Sequence, residues 1–213
     1  MRHPNMLKRG ALIVLEGCDR AGKSTQTEML MNKLNELRIP AQTLSFPNRG
    51  TPVGAVLNSF LSKKISLPPE TAHLLFSANR WESKEYIEKT LLAGITLVID
   101  RYAASGAVYA AANTGKDLDW CRQPDLGLTK PDCVVFLDVS KEQQEQRNDW
   151  GKERFECDEF QQRVNANYKK LLKFDDCAIT VNANRDKLIV HCEILQRVLS
   201  VIQEVENRDI QVL

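Results

Sequence analysis

Gly17-Cys18-Asp19-Arg20-Ala21-Gly22-Lys23-Ser24-Thr25 fits G-x-x-x-x-G-K-[ST], the pattern of a glycine-bent loop that cradles a polyphosphate. The run Ala11-Leu12-Ile13-Val14-Leu15 ahead of it is apolar and β-branched and reads as a buried strand. Behind it, Met29, Leu30, Leu34 and Leu37 fall on one helical face. Strand, loop and helix therefore come in the order that such a loop needs. Gly17 and Gly22 let the backbone turn successive N–H groups inward, and the start of the helix adds its positive end. Lys23 then reaches the β- and γ-phosphates of a nucleotide such as ATP. Ser24 supplies the hydroxyl that such loops place on Mg²⁺, and Ala21, Gly22 and Thr25 complete the cradle.

The chain has 213 residues, 43% hydrophobic and 27% charged, which suits one domain spanning residues 1–213 with small mobile insertions. With 29 basic and 28 acidic residues the formal charge is +1, so no global field argues for a nucleic-acid or membrane partner. Any anion must be held by locally placed cations. The six cysteines (Cys18, Cys121, Cys133, Cys157, Cys177, Cys192) are scattered and form no CxxC pair, which suits reduced thiols, for the greater part packed as small core hydrophobes. The N-terminal stretch from Met1 to Arg9 lacks the apolar centre of a signal peptide, and no run approaches the length of a membrane span. A soluble, cytoplasmic protein is the expectation.

Further along, Ala41 to Phe46 reads as a second strand, ended by Pro47 and the turn-prone residues 48–52. Arg49, at the tip of that loop, either faces the phosphate end or is an idle surface charge. Pro68-Pro69-Glu70 opens one long predicted helix through Phe76, Trp81, Ile87 and Leu91, closed by Gly94. Within it Phe76 and Arg80 are one turn apart, so a single stripe offers an aromatic face beside a guanidinium. The strand Ile95 to Ile99 ends in Asp100-Arg101-Tyr102, and ligands of open α/β sheets sit beyond the carboxyl ends of the strands. Asp100 is then either a carboxylate near the metal or the ion-pair partner of Arg101. The small-residue helix that follows, with Ser105 and Gly106, lets a ligand approach closely, and Tyr109 walls the pocket.

A fourth strand covers Cys133 to Val139. Thr129-Lys130-Pro131-Asp132 superficially resembles a guanine-reading N-K-x-D but precedes its strand instead of following it, so that reading fails. A helix from Lys141 to Arg147 leads into a polar stretch, and a second helix runs from Asp158 to Leu172. Arg147 and Arg154 flank this stretch, which is either a lid at about residues 147–157 or a solvated loop. The fifth strand, Cys177 to Val181, is followed by Asn182 to Arg185, where backbone groups could frame an adenine. A last helix extends from about Asp186 through Val205. Five apolar strands alternating with amphipathic helices give an α/β fold: a three-layer α/β/α P-loop NTPase with a five-stranded parallel sheet. Arg20, Arg49, Arg80, Arg101, Arg147 and Arg154 are all predicted at one end of that sheet, more cationic forks than a single nucleoside triphosphate needs. A second anion is expected there.

The segments GALIVLEGCDRAGKST (10–25), SFPNRGTPVG (45–54), HLLFSANRWE (73–82), DRYAASGAVY (100–109), LDWCRQPDLGLTKPD (118–132) and GKERFE (151–156) together resemble the thymidylate kinase family, eukaryotic type. The resemblance implies transfer of the γ-phosphoryl group of Mg·ATP to dTMP, for dTTP biosynthesis, by a homodimer joined through helices near residues 53–61, 72–90 and 103–112. It implies that Asp19 contacts the acceptor's 3′-hydroxyl and that Arg20 reaches over the transferring group. Arg49 and Arg101 would hold the acceptor phosphate, Phe76 would stack on thymine and Arg80 would donate to its O4. Tyr102 would fill the space of a ribose 2′-hydroxyl, Phe46 and Tyr109 would line the pocket, and Arg147 would stack on adenine. Phe155 stands where that family type has a lid tyrosine, which removes a hydroxyl and points to altered analogue tolerance. Another pyrimidine nucleotide or deoxynucleoside kinase, or an idle nucleotide-binding module, are the other readings of the same residues.

Overall fold

The computed structural model describes residues 8–145 and 153–213. Five strands, β1 (Leu12–Glu16), β2 (Ala41–Ser45), β3 (Thr96–Asp100), β4 (Cys133–Asp138) and β5 (Ala178–Asn182), form one parallel sheet in the order β2-β3-β1-β4-β5. Successive side chains of a strand point to opposite faces, and a parallel sheet with helices on both sides buries both. From β1, Ile13 and Leu15 enter a core with Leu30 and Leu34 of α1 (Lys23–Glu36) and Val190, Ile194, Val198 and Val201 of α9 (Lys187–Val205). Leu12 and Val14 point the other way, toward Phe46, Tyr102 and the residues Ile87 and Leu91 of α4 (Lys84–Leu92). On that second face Val134 and Phe136 pack on Val108 of α5 (Ala103–Thr114) and on Phe160, Val164 and Tyr168 of α8 (Asp158–Leu171). All carboxyl ends of the strands therefore lie along one edge, and the phosphate loop, the residue 46–51 loop and the Asp100–Tyr102 turn meet there.

The single long helix predicted from Pro68 is two helices, α3 (Pro69–Trp81) and α4, separated by a turn at Glu82–Ser83. Buried positions keep helical spacing across the break, so periodicity alone reads one rod. The turn is made by tertiary contacts. The Glu82 carboxylate accepts from Thr51 Oγ1 (2.7 Å) and Asn79 Nδ2 (3.0 Å), and the Ser83 N–H closes a tight turn on Arg80 O (3.0 Å). α3 can then face the site while α4 packs on the sheet. Leu37, expected on the buried face of α1, is 46% exposed because it caps the helix beyond the last core-facing turn. Three cysteines, Cys18, Cys121 and Cys133, are buried, whereas Cys157 and Cys192 are exposed and Cys177 is half-buried; all six are free thiols. Asp132 sits at the opposite end of the sheet from the phosphate loop, where it pairs with Arg9 (2.7 Å) and accepts from Leu12 N (2.8 Å). It anchors β4 to β1 and reads no base.

Candidate active site

The phosphate loop turns between β1 and α1. Gly22, the N-cap of α1, has φ +95°, a left-handed conformation that costs glycine nothing, and Arg20 adopts φ +63°. The Lys23 ammonium, almost wholly buried, donates to Gly17 O (3.2 Å) and Cys18 O (2.8 Å). Burial, with Arg101 adding to it, lowers its pKa to about 8. Burial raises the Cys18 thiol to about 11, so this loop cysteine is held as an unreactive thiol. Arg20, Ala21, Gly22, Ser24 and Thr25 border a cleft of about 420 Å³ whose far wall carries Arg185. The Arg185 Nε donates to Asn182 O (3.1 Å) and the guanidinium pairs with Glu193. The Asn182 side chain turns back to accept from Asn184 N (3.0 Å), so it braces this loop instead of lining the cleft. Arg147 lies outside the described residues.

Ser24 Oγ donates to Asp100 Oδ2 (2.9 Å), and Asp100 Oδ1 is buried with no hydrogen-bond partner. The alternative ion pair between Asp100 and Arg101 does not form: Arg101 pairs with Asp19 instead. A hydroxyl and a carboxylate with one unsatisfied oxygen, side by side at the phosphate loop, form an all-oxygen donor set that suits a hard divalent cation such as Mg²⁺.

A second cavity, of about 240 Å³, opens on the other side of Asp19. At its charged end, Arg101 donates to Gly17 O (3.0 Å) and pairs with Asp19, while its backbone holds φ +68°, a conformation that non-glycine residues keep where the surroundings enforce it. Burial opposes its charge, yet Tyr109 and Asp19 around it raise its pKa well above the ordinary arginine value. Arg49 reaches in from the loop after β2 and pairs with Asn58 and with Glu153, both at 2.7 Å. The apolar end is formed by Phe46, tilted against Tyr102 (5.6 Å between centroids), and by Phe76 and Tyr109. Arg80 is almost wholly buried and forked on Asp125, Nε to Oδ1 at 3.0 Å and Nη2 to Oδ2 at 2.8 Å. A Cβ at position 106 would lie 2.3 Å from Arg80 Nη2, so only glycine lets α5 approach that guanidinium. Tyr102 gives its ring to the cavity, and its hydroxyl has no hydrogen-bond partner among the described residues.

Phe155 borders the same cavity, stacked on Phe160 (4.7 Å) and edge-on to Tyr109 and Phe60. Arg154 does not reach it. Its guanidinium lies over the Phe60 ring (4.3 Å) and donates to Phe60 O (3.0 Å), in the last turn of α2 (Pro52–Leu61), and to Ile65 O (2.8 Å) in the connection that follows it.

Four further residues carry the site without having been singled out from sequence. Asp125 holds Arg80. Glu16, fully buried at the end of β1, accepts from Tyr102 N (2.9 Å) and Ser105 N (3.1 Å) and from the Ser105 and Tyr168 hydroxyls, fixing the start of α5. Gln161 of α8 accepts from Asp19 N (2.9 Å) and donates to Asp19 Oδ2 (2.6 Å) and to Phe155 O (3.0 Å), so one amide joins the phosphate loop to the segment that carries Phe155. Asn79 clamps the loop that bears Arg49. A polar residue at a helical position expected to be buried was the available signal for Asn79 and Gln161; Asp125 gave none.

The family model described as thymidylate kinase matches residues 15–194. A thymidylate kinase of Homo sapiens is 45% identical over 196 residues, 91% of each chain, and one of Arabidopsis thaliana is 44% identical over 92% of this chain and 73% of its own. Among solved structures, a thymidylate kinase from Candida albicans superposes with a TM-score of 0.87 at 33% identity, covering 96% of this chain and 98% of that one. That Candida albicans enzyme is described as having a broad substrate specificity.

Proposed function

Because the chain belongs to the thymidylate kinase family and phosphorylates dTMP with ATP as donor, we propose that ATP enters the cleft over Arg20–Thr25 and dTMP the cavity between Phe46, Phe76 and Arg101. The observation that carries this placement is Arg101: one guanidinium bonds both the backbone of the phosphate loop and Asp19 at the mouth of the second cavity. Donor and acceptor phosphates are thereby brought to either side of one residue pair.

Transfer joins two polyanions, so catalysis consists of neutralising charge, aligning the groups and excluding water. Lys23 and Arg20 serve the donor phosphates, and Arg20 stabilises the transferring group. Arg49 and Arg101 hold the acceptor phosphate, for which Glu153 must yield Arg49. Asp19 takes the 3′-hydroxyl. The acceptor oxygen is ionised or nearly so, and no general base is assigned. Ser24 and Asp100 would hold Mg²⁺, which when bound neutralises phosphate charge. Arg80, kept in place by Asp125, can only donate. Cytosine's amino group at the O4 position would face it as a second donor, a mismatch costing about 1–3 kcal/mol. Tyr102 closes the 2′ side, and Ser105 and Gly106 bring α5 against the ligand. Phe155, without a hydroxyl, encloses the acceptor by its ring alone.

A homodimer is supported by the outward stripe Leu74 and Trp81 on α3, 52% and 39% exposed, and by the exposed Val56 on α2. Free thiols support a reducing compartment, the cytoplasm. No helix among the described residues is long and apolar enough to cross a membrane. The test of the acceptor assignment is a panel of dTMP, dUMP, UMP, CMP and thymidine with Mg·ATP. The highest kcat/KM is expected for dTMP, and preference for CMP or unphosphorylated thymidine would overturn the assignment.

A further inference from the structure

Asn79 is fully buried on α3, and three of the four hydrogen bonds of its side chain go to a loop it does not belong to. Its Oδ1 accepts from Asn48 N (2.7 Å). Its Nδ2 donates toward Asn48 O (3.1 Å), Thr51 Oγ1 (2.8 Å) and Glu82 Oε2 (3.0 Å). Asn48 thus has both its backbone donor and its backbone acceptor paired by one side-chain amide, as a neighbouring strand would pair them. Three positions on, Thr51 accepts from Gly54 N (3.0 Å) to cap α2 and donates to Glu82 (2.7 Å). The segment 48–51 is pinned at both ends to α3.

Between those pins stands Arg49. Its guanidinium is half in solvent, and its own partners, Asn58 and Glu153, are themselves exposed side chains. Exposed pairs of this kind hold a long side chain only weakly. The direction in which Arg49 leaves the backbone is therefore set by the clamp. We propose that Asn79 is a positioning residue for the acceptor phosphate, acting through Arg49 without touching the nucleotide. This rests on the reading of Arg49 given above.

Asn79→Asp keeps the size of the side chain and an acceptor for Asn48 N, removes both donors and sets a second carboxylate beside Glu82. The KM for dTMP should rise roughly tenfold or more, with kcat at saturation and the KM for ATP changed less than about twofold. In an Arg49→Ala background, Asn79→Asp should add less than about twofold, because the residue through which it acts is gone. An undiminished effect in that background, an equal loss toward both substrates, or a KM for dTMP like that of the parent would each overturn the proposal. If Arg49→Ala leaves the KM for dTMP unchanged, the reading of Arg49 falls and the proposal with it. If Arg49→Ala raises that KM while Asn79→Asp is silent, only the positioning role is lost. Should Asn79→Asp fail to fold, Asn79→Asp with Glu82→Gln relieves the facing carboxylates while Asn48 O still lacks its donor, and the same split between the two KM values is read.

Discussion

The two halves of the active site are built by different means. The donor side is nearly continuous chain: Gly17 to Thr25 bend once, and backbone groups and two neighbouring side chains form the cradle. The acceptor side is assembled from seven separate segments, the ends of β1, β2 and β3 together with α2, α3, α5 and the stretch 153–155, and its walls meet through side chains. A contiguous loop needs only its own dihedral angles. An assembled cavity needs each wall held by a partner elsewhere, which is why Asp125, Asn79, Glu16 and Gln161 are all buried and all on its side. Damage to the first should show in turnover, and damage to the second in acceptor binding and stability.

The largest effect is expected inside the loop. Arg20→Ala should lower kcat by roughly 10³-fold or more while leaving ligand affinities and the unfolding midpoint close to the parent. Weakened binding with turnover unchanged at saturation would contradict both the role of Arg20 and the contrast between the halves. On the acceptor side, Asp125→Ala strands the buried Arg80 guanidinium without its counter-charge and should cost about 3–5 kcal/mol in denaturant unfolding, with the KM for ATP retained in the folded enzyme. A variant as stable as the parent would show that this pair does not hold the cavity wall. The smallest effect concerns Glu153. Glu153→Gln removes an exposed carboxylate from Arg49, and because such a pair contributes about 0–1 kcal/mol, the KM for dTMP should fall by no more than about fivefold. A rise would mean that Glu153 assists acceptor binding instead of competing with it.

Much of this was legible in the residues. The phosphate loop, the five strands and the alternation with helices follow from a short motif and from hydrophobic runs, which are local signals. The small residues around Gly106 were read as letting a ligand approach closely; the group that Gly106 admits is the Arg80 guanidinium, which the composition did not reveal. The division of residues 69–92 into α3 and α4 was hidden because the buried spacing continues through Glu82 and Ser83 while the contacts that bend the chain come from Thr51. Arg154 looked like a site residue because it is a cation in a stretch read as lid-like; its partners are the carbonyls of Phe60 and Ile65, which no pattern around residue 154 encodes. The Asp125 partnership spans 45 positions to Arg80, and the Gln161 contact 142 to Asp19.

The amino-acid order by itself determined where a polyphosphate can be cradled and which segments must be strands, because a glycine-permitted turn and an apolar run act over a few residues. Only the folded chain decided which guanidinium faces the acceptor and which is consumed by structure, because the direction of a long charged side chain depends on the buried partner that meets it, and that partner is brought in from far along the sequence.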